Sequence, residues 1–291
     1  MEVVEKDLIN FQQSIRDHSA YDFSDYSLTS LKRRLTKILL EYDMEMQELI
    51  LKMEADERFL EQTVRKLTVH TTELFRDPPV WLKIRDDLAP SWHDKAAVNI
   101  WHPGCSTGQE VYSMLMLLDQ MGLLHKARVF GSDLNPDVLE KARKGKYRYH
   151  FNQSYLENFN RVMLNGVEEA SGEAAGEASR ERSGKPHIDW KKYFSVDETR
   201  DAIQMHEHLR SLPLFQQQDL VKDSNPFDVS YDLIVCRNVI IYFNLKLQTH
   251  VFRLFYENLN PGGALLLGVH ESIIGSYDRK YRRNDPFYFK V

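Results

Sequence analysis

The sequence predicts an α/β fold, with an N-terminal all-helical domain followed by a doubly wound, mostly parallel sheet carrying a small inserted β-subdomain. Three observations predict it. The first 76 residues contain neither glycine nor proline, and their apolar residues recur at helical spacing. From Val98 onward, short apolar runs alternate with helical stretches, the pattern of parallel strands joined by crossover helices. The first of those runs ends in a glycine-bounded turn directly ahead of a helix, Gly104-Cys105-Ser106-Thr107-Gly108.

The elements follow in order. Leu8, Phe11 and Ile15 mark a first helix. Ser27 is the expected N-cap of a second, whose stripe is Leu28, Leu31, Leu35, Ile38, Leu39 and Tyr42. Leu49, Ile50 and Met53, then Phe59, Leu60, Val64 and Leu67, mark two more. A boundary near residue 76 separates this domain from residues 77–291. There, Val98–Trp101 reads as a strand, Val111–Met121 as a helix, Ala127–Asp133 as a strand and Pro136–Lys144 as a helix with proline in its first turn. Asp232–Cys236 is an apolar strand and Lys246–Leu259 a helix. The turn Asn260-Pro261-Gly262-Gly263 opens a strand at Ala264–Gly268, and Pro286–Val291 is expected to close the sheet as an edge strand. Residues 149–214 read as an insertion, with candidate strands at Lys192–Val196 and Ala202–His206. Inside it, Glu168–Pro186 lacks aromatic and β-branched residues and reads as a flexible loop.

Composition narrows the function. The chain has 291 residues, 42% hydrophobic and 28% charged, which excludes collagen-like, coiled-coil and wholly disordered classes. No uncharged apolar run reaches the ~18 residues of a membrane span, and the acidic N-terminus does not read as a secretory signal. Two cysteines, Cys105 and Cys236, form no disulfide framework, so a cytoplasmic location is expected. They would lie at the ends of neighbouring strands, either as packing residues or as a redox-sensitive pair. A net charge of -5 gives no general attraction to nucleic acid or anionic lipid, and no membrane insertion is expected.

Three features point to an adenosine-containing ligand. The turn from Gly104 to Gly108 lets a ligand approach the backbone, and the helix behind it offers N–H groups. Asp133 closes the next strand, where an acid commonly accepts from ribose hydroxyls. Gln218-Asp219-Leu220 pairs a carboxylate with an apolar residue, suited to an adenine edge; a solvated loop acid is the alternative for Asp219. The turn is neither Gly-x-Gly-x-x-Gly nor a P-loop, which argues against dinucleotides and triphosphates.

Further residues carry a family resemblance. Thr71-Thr72-Glu73-Leu74-Phe75-Arg76-Asp77-Pro78 resembles the threonine–phenylalanine–arginine signature of the CheR chemotaxis receptor methyltransferases. Ile100–Ser113 is similar to that family's first cofactor loop. Gly131-Ser132-Asp133-Leu134-Asn135, with Leu139, Ala142, Gly145 and Tyr147, resembles its second. Tyr231–Phe243, containing Arg237-Asn238-Val239-Ile240-Ile241-Tyr242, resembles its fourth-strand signature, and Leu259–Gly263 the turn before its fifth. The resemblance implies an S-adenosylmethionine-dependent, Rossmann-like methyltransferase that esterifies glutamates of chemoreceptor cytoplasmic helices and releases S-adenosylhomocysteine. It implies that Thr72 and Arg76 approach the cofactor from the N-terminal side. Glu110 would bind the methionine amino group, Asp133 the ribose, and Asn238 and Tyr242 the reacting end. The implied cofactor set is Thr72, Arg76, Gly104, Ser106, Gly108, Glu110, Asp133, Asp219, Leu220, Asn238 and Tyr242, with Arg76 and Tyr242 catalytic. Gln109 replaces a common acid, Asp219 stands where asparagine is usual, and Val269-His270-Glu271 is one residue off the usual glycine–histidine–serine–glutamate, so His270 receives no role.

Other readings remain open. Arg76 suits an interdomain salt bridge and Tyr242 simple packing. Lys32, Arg33, Arg34 and Lys37 form a basic run that is either a solvated face or a docking site for an acidic receptor helix, with Arg33 and Lys37 one turn apart. His206 and His208 have strand spacing for two metal ligands but no third ligand nearby, so no metal is expected. A monomer is expected. The competing functions are a nucleic-acid or small-molecule methyltransferase, disfavoured by the lack of an Asn/Asp-Pro-Pro-Tyr motif, and a non-catalytic cofactor-sensing protein.

Overall fold

The computed structural model describes residues 3–68, 71–150, 153–170 and 189–291. The fold is mixed α/β, and its main sheet is mostly parallel with seven strands. The chain divides into two compact units. One joins Met1–His70 to Gln217–Val291, and the other is Thr71–Gln216.

In the first unit, four helices form as their apolar spacing predicts: α1 (Glu5–His18), α2 (Leu28–Tyr42), α3 (Met46–Ala55) and α4 (Glu57–Leu67). Their stripes meet in one core of Phe11, Ile15, Leu35, Leu49, Leu60 and Val64. Asp56 starts α4 by accepting from the N–H groups of Arg58 (2.9 Å) and Phe59 (3.2 Å). Ser27 precedes α2 as expected, but its side chain makes no capping bond.

The sheet strands of this unit run in the order β7-β8-β10-β9: β7 (Tyr231–Cys236), β8 (Leu259–Leu267), β9 (Tyr281–Asn284) and β10 (Phe287–Lys290). β7 and β8 are parallel, and β10 pairs antiparallel with β8 and with β9. Every residue of β7 is buried, which is why it reads as a continuous apolar run. Two expectations are corrected. Asn260–Gly263 lies inside β8, where the register against β7 shifts between Tyr231 and Leu233, so it is an irregularity in the strand rather than a turn before it. The C-terminal strand is not an edge, because Tyr281–Asn284, too polar to stand out by alternation, pairs outside it.

The N-terminal segment is tied to the turn after β7. Ser27 donates its N–H to the Tyr242 carbonyl at 2.8 Å, and Asn244 donates its N–H to the Asp25 carbonyl at 2.9 Å. The Asn244 amide and the Lys246 ammonium both donate to the Asp25 carboxylate, at 3.1 and 2.8 Å. Asn244 also caps α10 (Leu245–Asn258) through the Leu247 N–H at 2.9 Å.

In the second unit, β1 (Val98–Pro103) and β2 (Ala127–Asp133) are parallel, and β6 (Leu214–Gln217) lies beside β2. Helices α6 (Gln109–Gln120) and α7 (Pro136–Lys144) follow the two long strands. A three-stranded sheet of order β3-β5-β4 holds β3 (Lys146–Tyr147), β4 (Phe194–Asp197) and β5 (Ala202–Met205), and the short α9 (Glu207–Arg210) follows β5. The strand expected from Lys192 begins two residues later, since Trp190–Lys192 forms a 3-10 turn. Three helices escaped the sequence reading: α5 (Pro78–Lys83), α8 (Gln153–Ala170) and the short α9. In α8, Phe159, Val162 and Met163 are buried at helical spacing. Glu168–Ala170, read as loop, is the end of α8; the rest of that expected loop lies outside the described residues.

The hydrogen bond from Lys246 holds the Asp25 carboxyl below the usual carboxylate range. A depressed folded pKa contributes stability above the unfolded pKa and loses it as pH falls through the folded one. Asp25→Ala should therefore cost about 1 kcal/mol at neutral pH. Denaturant titrations should show the gap from wild type closing as the solution is acidified past Asp25's lowered pKa.

Candidate active site

The singled-out residues are distributed over both units and are described unit by unit. In the unit Thr71–Gln216, the chain leaves β1 through Gly104 (φ 71°) and Ser106 (φ 52°) and enters α6 at Gly108 (φ 87°). Asp133, at the end of β2, fastens this loop. One carboxylate oxygen accepts from the Ser106 N–H at 2.9 Å and the other from the Asn135 N–H at 3.0 Å. The structure thus brings Gly104, Ser106, Gly108 and Asp133 together. The Ser106 hydroxyl is buried with no hydrogen-bond partner among the described residues.

Glu110 stands in the first turn of α6 beside a residue the sequence reading passed over. His102, fully buried near the end of β1, places Nδ1 3.1 Å from Glu110 Oε1, and its Nε2 has no partner among the described residues. The available signal was a lone histidine at the carboxyl end of an apolar strand, the usual ligand side of such sheets. Cys105 follows in the same loop. Burial, reinforced by Asp133 and Glu110, pushes its thiol well above the ordinary range. Cys236 is buried too, and both thiols are free.

Arg76 sits on a turn whose neighbours Phe75 (φ 51°) and Asp77 (φ 55°) both take left-handed backbone conformations. For a bulky residue such as phenylalanine this stores about 1–3 kcal/mol of strain and survives only when packing over-determines it. That packing is present. The Phe75 ring is buried against Trp81 and Phe159, at centroid distances of 5.4 and 5.8 Å. Its N–H donates to Ser113 Oγ on α6 at 2.8 Å, and the Trp81 indole N–H donates to the Arg76 carbonyl at 2.9 Å. Thr72 lies four residues earlier, half-buried, in the stretch leading into this turn.

In the other unit, Asp219 is half-buried in a tight turn, where it accepts from the Val221 N–H at 2.9 Å. Burial raises its pKa above the usual carboxylate range. Gln218 is committed to the backbone, donating to the Ser224 carbonyl at 2.9 Å, and Leu220 is buried. After β7, Asn238 adopts φ 61°, and Ile240–Tyr242 make a 3-10 turn that leaves Tyr242 half-exposed. A second overlooked residue, Glu271, accepts from the Asn238 N–H at 2.7 Å. Lys32, Arg33 and Lys37 are exposed on α2 while Arg34 is half-buried, and Ser27 immediately before that helix bonds the Tyr242 carbonyl. The rings of His206 and His208 lie 6.0 Å apart, but no group of three metal-ligating residues forms among the described residues. No helix there is long and apolar enough to cross a membrane.

The family described as CheR methyltransferase, SAM binding domain, matches residues 70–164 and 177–287. Cher3 of Pseudomonas putida, named as a methyltransferase, is 33% identical over 258 residues, covering 87% of this chain and 84% of its own length. A chemotaxis protein methyltransferase of Listeria monocytogenes is 24% identical over 292 residues, covering 99% of this chain and 98% of its own. Among solved structures, SAM-bound CalS10, an amino pentose methyltransferase from Micromonospora echinaspora, is 14% identical at a TM-score of 0.34, covering 65% of this chain and 49% of that one.

Gly108 gives this loop a sharp test. Its φ is 87°, and an added Cβ would lie 2.8 Å from the Ala142 Cβ on α7. Gly108→Ala should therefore destabilise the protein by more than about 1 kcal/mol, combining backbone strain with overpacking. Thermal unfolding checks this, and an unchanged melting temperature would mean that α7 yields freely.

Proposed function

The chain belongs to the CheR methyltransferase family and is an S-adenosylmethionine-dependent methyltransferase of chemotaxis, and on that premise we propose that it esterifies glutamate side chains in the cytoplasmic helices of chemoreceptors. The observation that carries the proposal is Arg76, a guanidinium set on a strained, packed turn. A planar, permanently charged fork suits a carboxylate acceptor.

The residues fit the cofactor. The unpartnered Ser106 hydroxyl and the left-handed Gly104 and Gly108 provide polar and close-approach positions. In this reading Glu110 receives the amino group of the methionine portion, held by His102. Asp133 takes the ribose hydroxyls, and Asp219 with Leu220 the adenine. Thr72, Asn238 and Tyr242 line the reacting end. When bound, the cofactor supplies a sulfonium methyl group already activated for transfer.

A solvated glutamate side chain titrates at about 4.3, so the acceptor carboxylate is ionised at neutral pH and no general base is required of the protein. The protein's task is placement. Arg76 grips the carboxylate in two-point contact, and Tyr242 orients it through its ring or hydroxyl. Alignment of this kind is worth on the order of 7–11 kcal/mol of barrier. Because opposite charges annihilate as carboxylate meets sulfonium, excluding water also favours reaction.

The label released from methylated receptor fragments decides the substrate class. Radiolabelled methyl groups should be lost as methanol at high pH, as esters require, whereas methylated amines and bases retain them. Arg76→Ala and Tyr242→Phe should lower turnover more than cofactor affinity. Alkali-stable label would overturn the glutamate assignment.

The basic run on α2 is read as the receptor-steering surface. Its exposed charges stand about one to three turns beyond Ser27, which is bonded to the Tyr242 backbone. Reversing Arg33 and Lys37 to Glu should slow receptor methylation and flatten its salt dependence while leaving cofactor binding intact. Rates measured across a salt series check this; a salt profile identical to wild type would remove the run from docking.

A further inference from the structure

We propose that Glu271 is a positioning residue whose buried carboxylate holds the Asn238–Ile241 turn in the conformation from which Asn238 and Tyr242 act. The inference rests on the site roles proposed above and extends them to a residue outside that set.

β7 and β8 are parallel neighbours, in register with Cys236 opposite Leu267. Just past their ends, both chains leave the ladder and their N–H groups lose strand partners. One carboxylate answers both. Glu271 Oε2 accepts from the Asn238 N–H and from the Gly268 N–H, each at 2.7 Å, and Oε1 accepts from the Ile241 N–H at 3.2 Å. The side chain reaches 33 residues back along the sequence to do so. It is only 9% exposed.

Two neighbours are shaped around this contact. Asn238 takes φ 61°, a left-handed conformation that a single fixed acceptor for its N–H can hold. A Cβ at Gly268 would lie 2.6 Å from Glu271 Oε2 and 3.0 Å from the Asn238 nitrogen, so only glycine leaves the carboxylate its place. The clamp covers both ends of Asn238-Val239-Ile240-Ile241, and Tyr242 follows directly, its N–H bonded to the Val239 carbonyl at 3.1 Å.

Burying a carboxylate here carries a cost. Burial raises the Glu271 pKa despite its backbone donors, so the ionised group is held against a desolvation penalty. An uncharged group of equal shape would relieve that penalty. What a glutamine cannot supply is acceptance at both oxygens, because its amide nitrogen presents a donor to a backbone donor.

The test uses the full chain with Glu271→Gln, and Gly268→Ala as a second variant that displaces the carboxylate without removing it. Four quantities are read: melting temperature, S-adenosylhomocysteine affinity by calorimetry, kcat and KM with receptor fragments, and amide hydrogen exchange at Asn238 and Ile241. Glu271→Gln should still fold but melt below wild type at neutral pH, because a backbone N–H then meets an amide donor. Its kcat should fall by about tenfold or more, with a smaller change in cofactor affinity and KM, and the two amides should exchange about tenfold faster. Gly268→Ala should reproduce the kinetic and exchange changes. Unchanged exchange in a folded variant, or a loss of kcat that disappears once folded fraction is corrected for, overturns the proposal. If wild type fails to methylate receptor fragments, the substrate reading falls. Amide exchange and S-adenosylhomocysteine affinity then still decide whether the clamp exists.

Discussion

Backbone N–H groups released at the carboxyl ends of parallel strands need acceptors, and in this protein carboxylates provide them. Asp133 takes the Ser106 and Asn135 N–H groups beyond β1 and β2. Glu271 takes those of Asn238, Gly268 and Ile241 beyond β7 and β8. A buried N–H left without an acceptor costs free energy comparable to a lost hydrogen bond. Each carboxylate therefore fixes a loop conformation that the loop sequence alone would not hold. Ser106 and Asn238 both stand at positive φ, and in both cases the N–H of that same residue is the one tethered. The loops that carry the proposed site depend on these two contacts.

Arg76 is presented by a different device. Aromatic packing around Phe75 and the bond from Trp81 to the Arg76 carbonyl hold an unfavourable backbone at the residues on either side of it. The cost is met by core burial, and a guanidinium is set on a packed turn, which would lower the entropy lost in the anion contact proposed for it. The N-terminal helices are tied to the turn that carries Tyr242. Asp25, Tyr26 and Ser27 bond to the segment from Tyr242 to Lys246, so α2 starts where the turn after β7 ends. This gives physical content to the proposed partnership between a basic helix and a reacting tyrosine.

Regular elements were legible wherever periodicity was strong. The four N-terminal helices, β1, β2, α7, β7 and α10 all appear within a few residues of the positions their apolar spacing predicts. Misreadings fell where the local signal was weak or ambiguous. Tyr281–Asn284 is polar and exposed apart from Tyr281, so it gave no alternation to read. The glycines near Gly262 suggested a turn, yet pairing of β8 with β7 carries the strand through them. Helix α8 was obscured by its position beside a polar stretch, although Phe159, Val162 and Met163 held its helical face.

The sequence by itself determined the main strands and helices in their order, the glycine turn after β1, the family motifs and hence the chemistry to expect. Those depend on local propensity and on residue types that lie close together along the chain. Only the tertiary structure decided that His102 meets Glu110, that Asp133 fastens the first loop, that Ser27 hangs on Tyr242 and that Glu271 reaches Asn238. Three of these contacts join positions far apart in sequence, two through a side chain and a backbone group and one through two backbone groups. No periodicity or composition encodes such pairs; they exist because folding brings strand ends and helix starts within hydrogen-bonding distance.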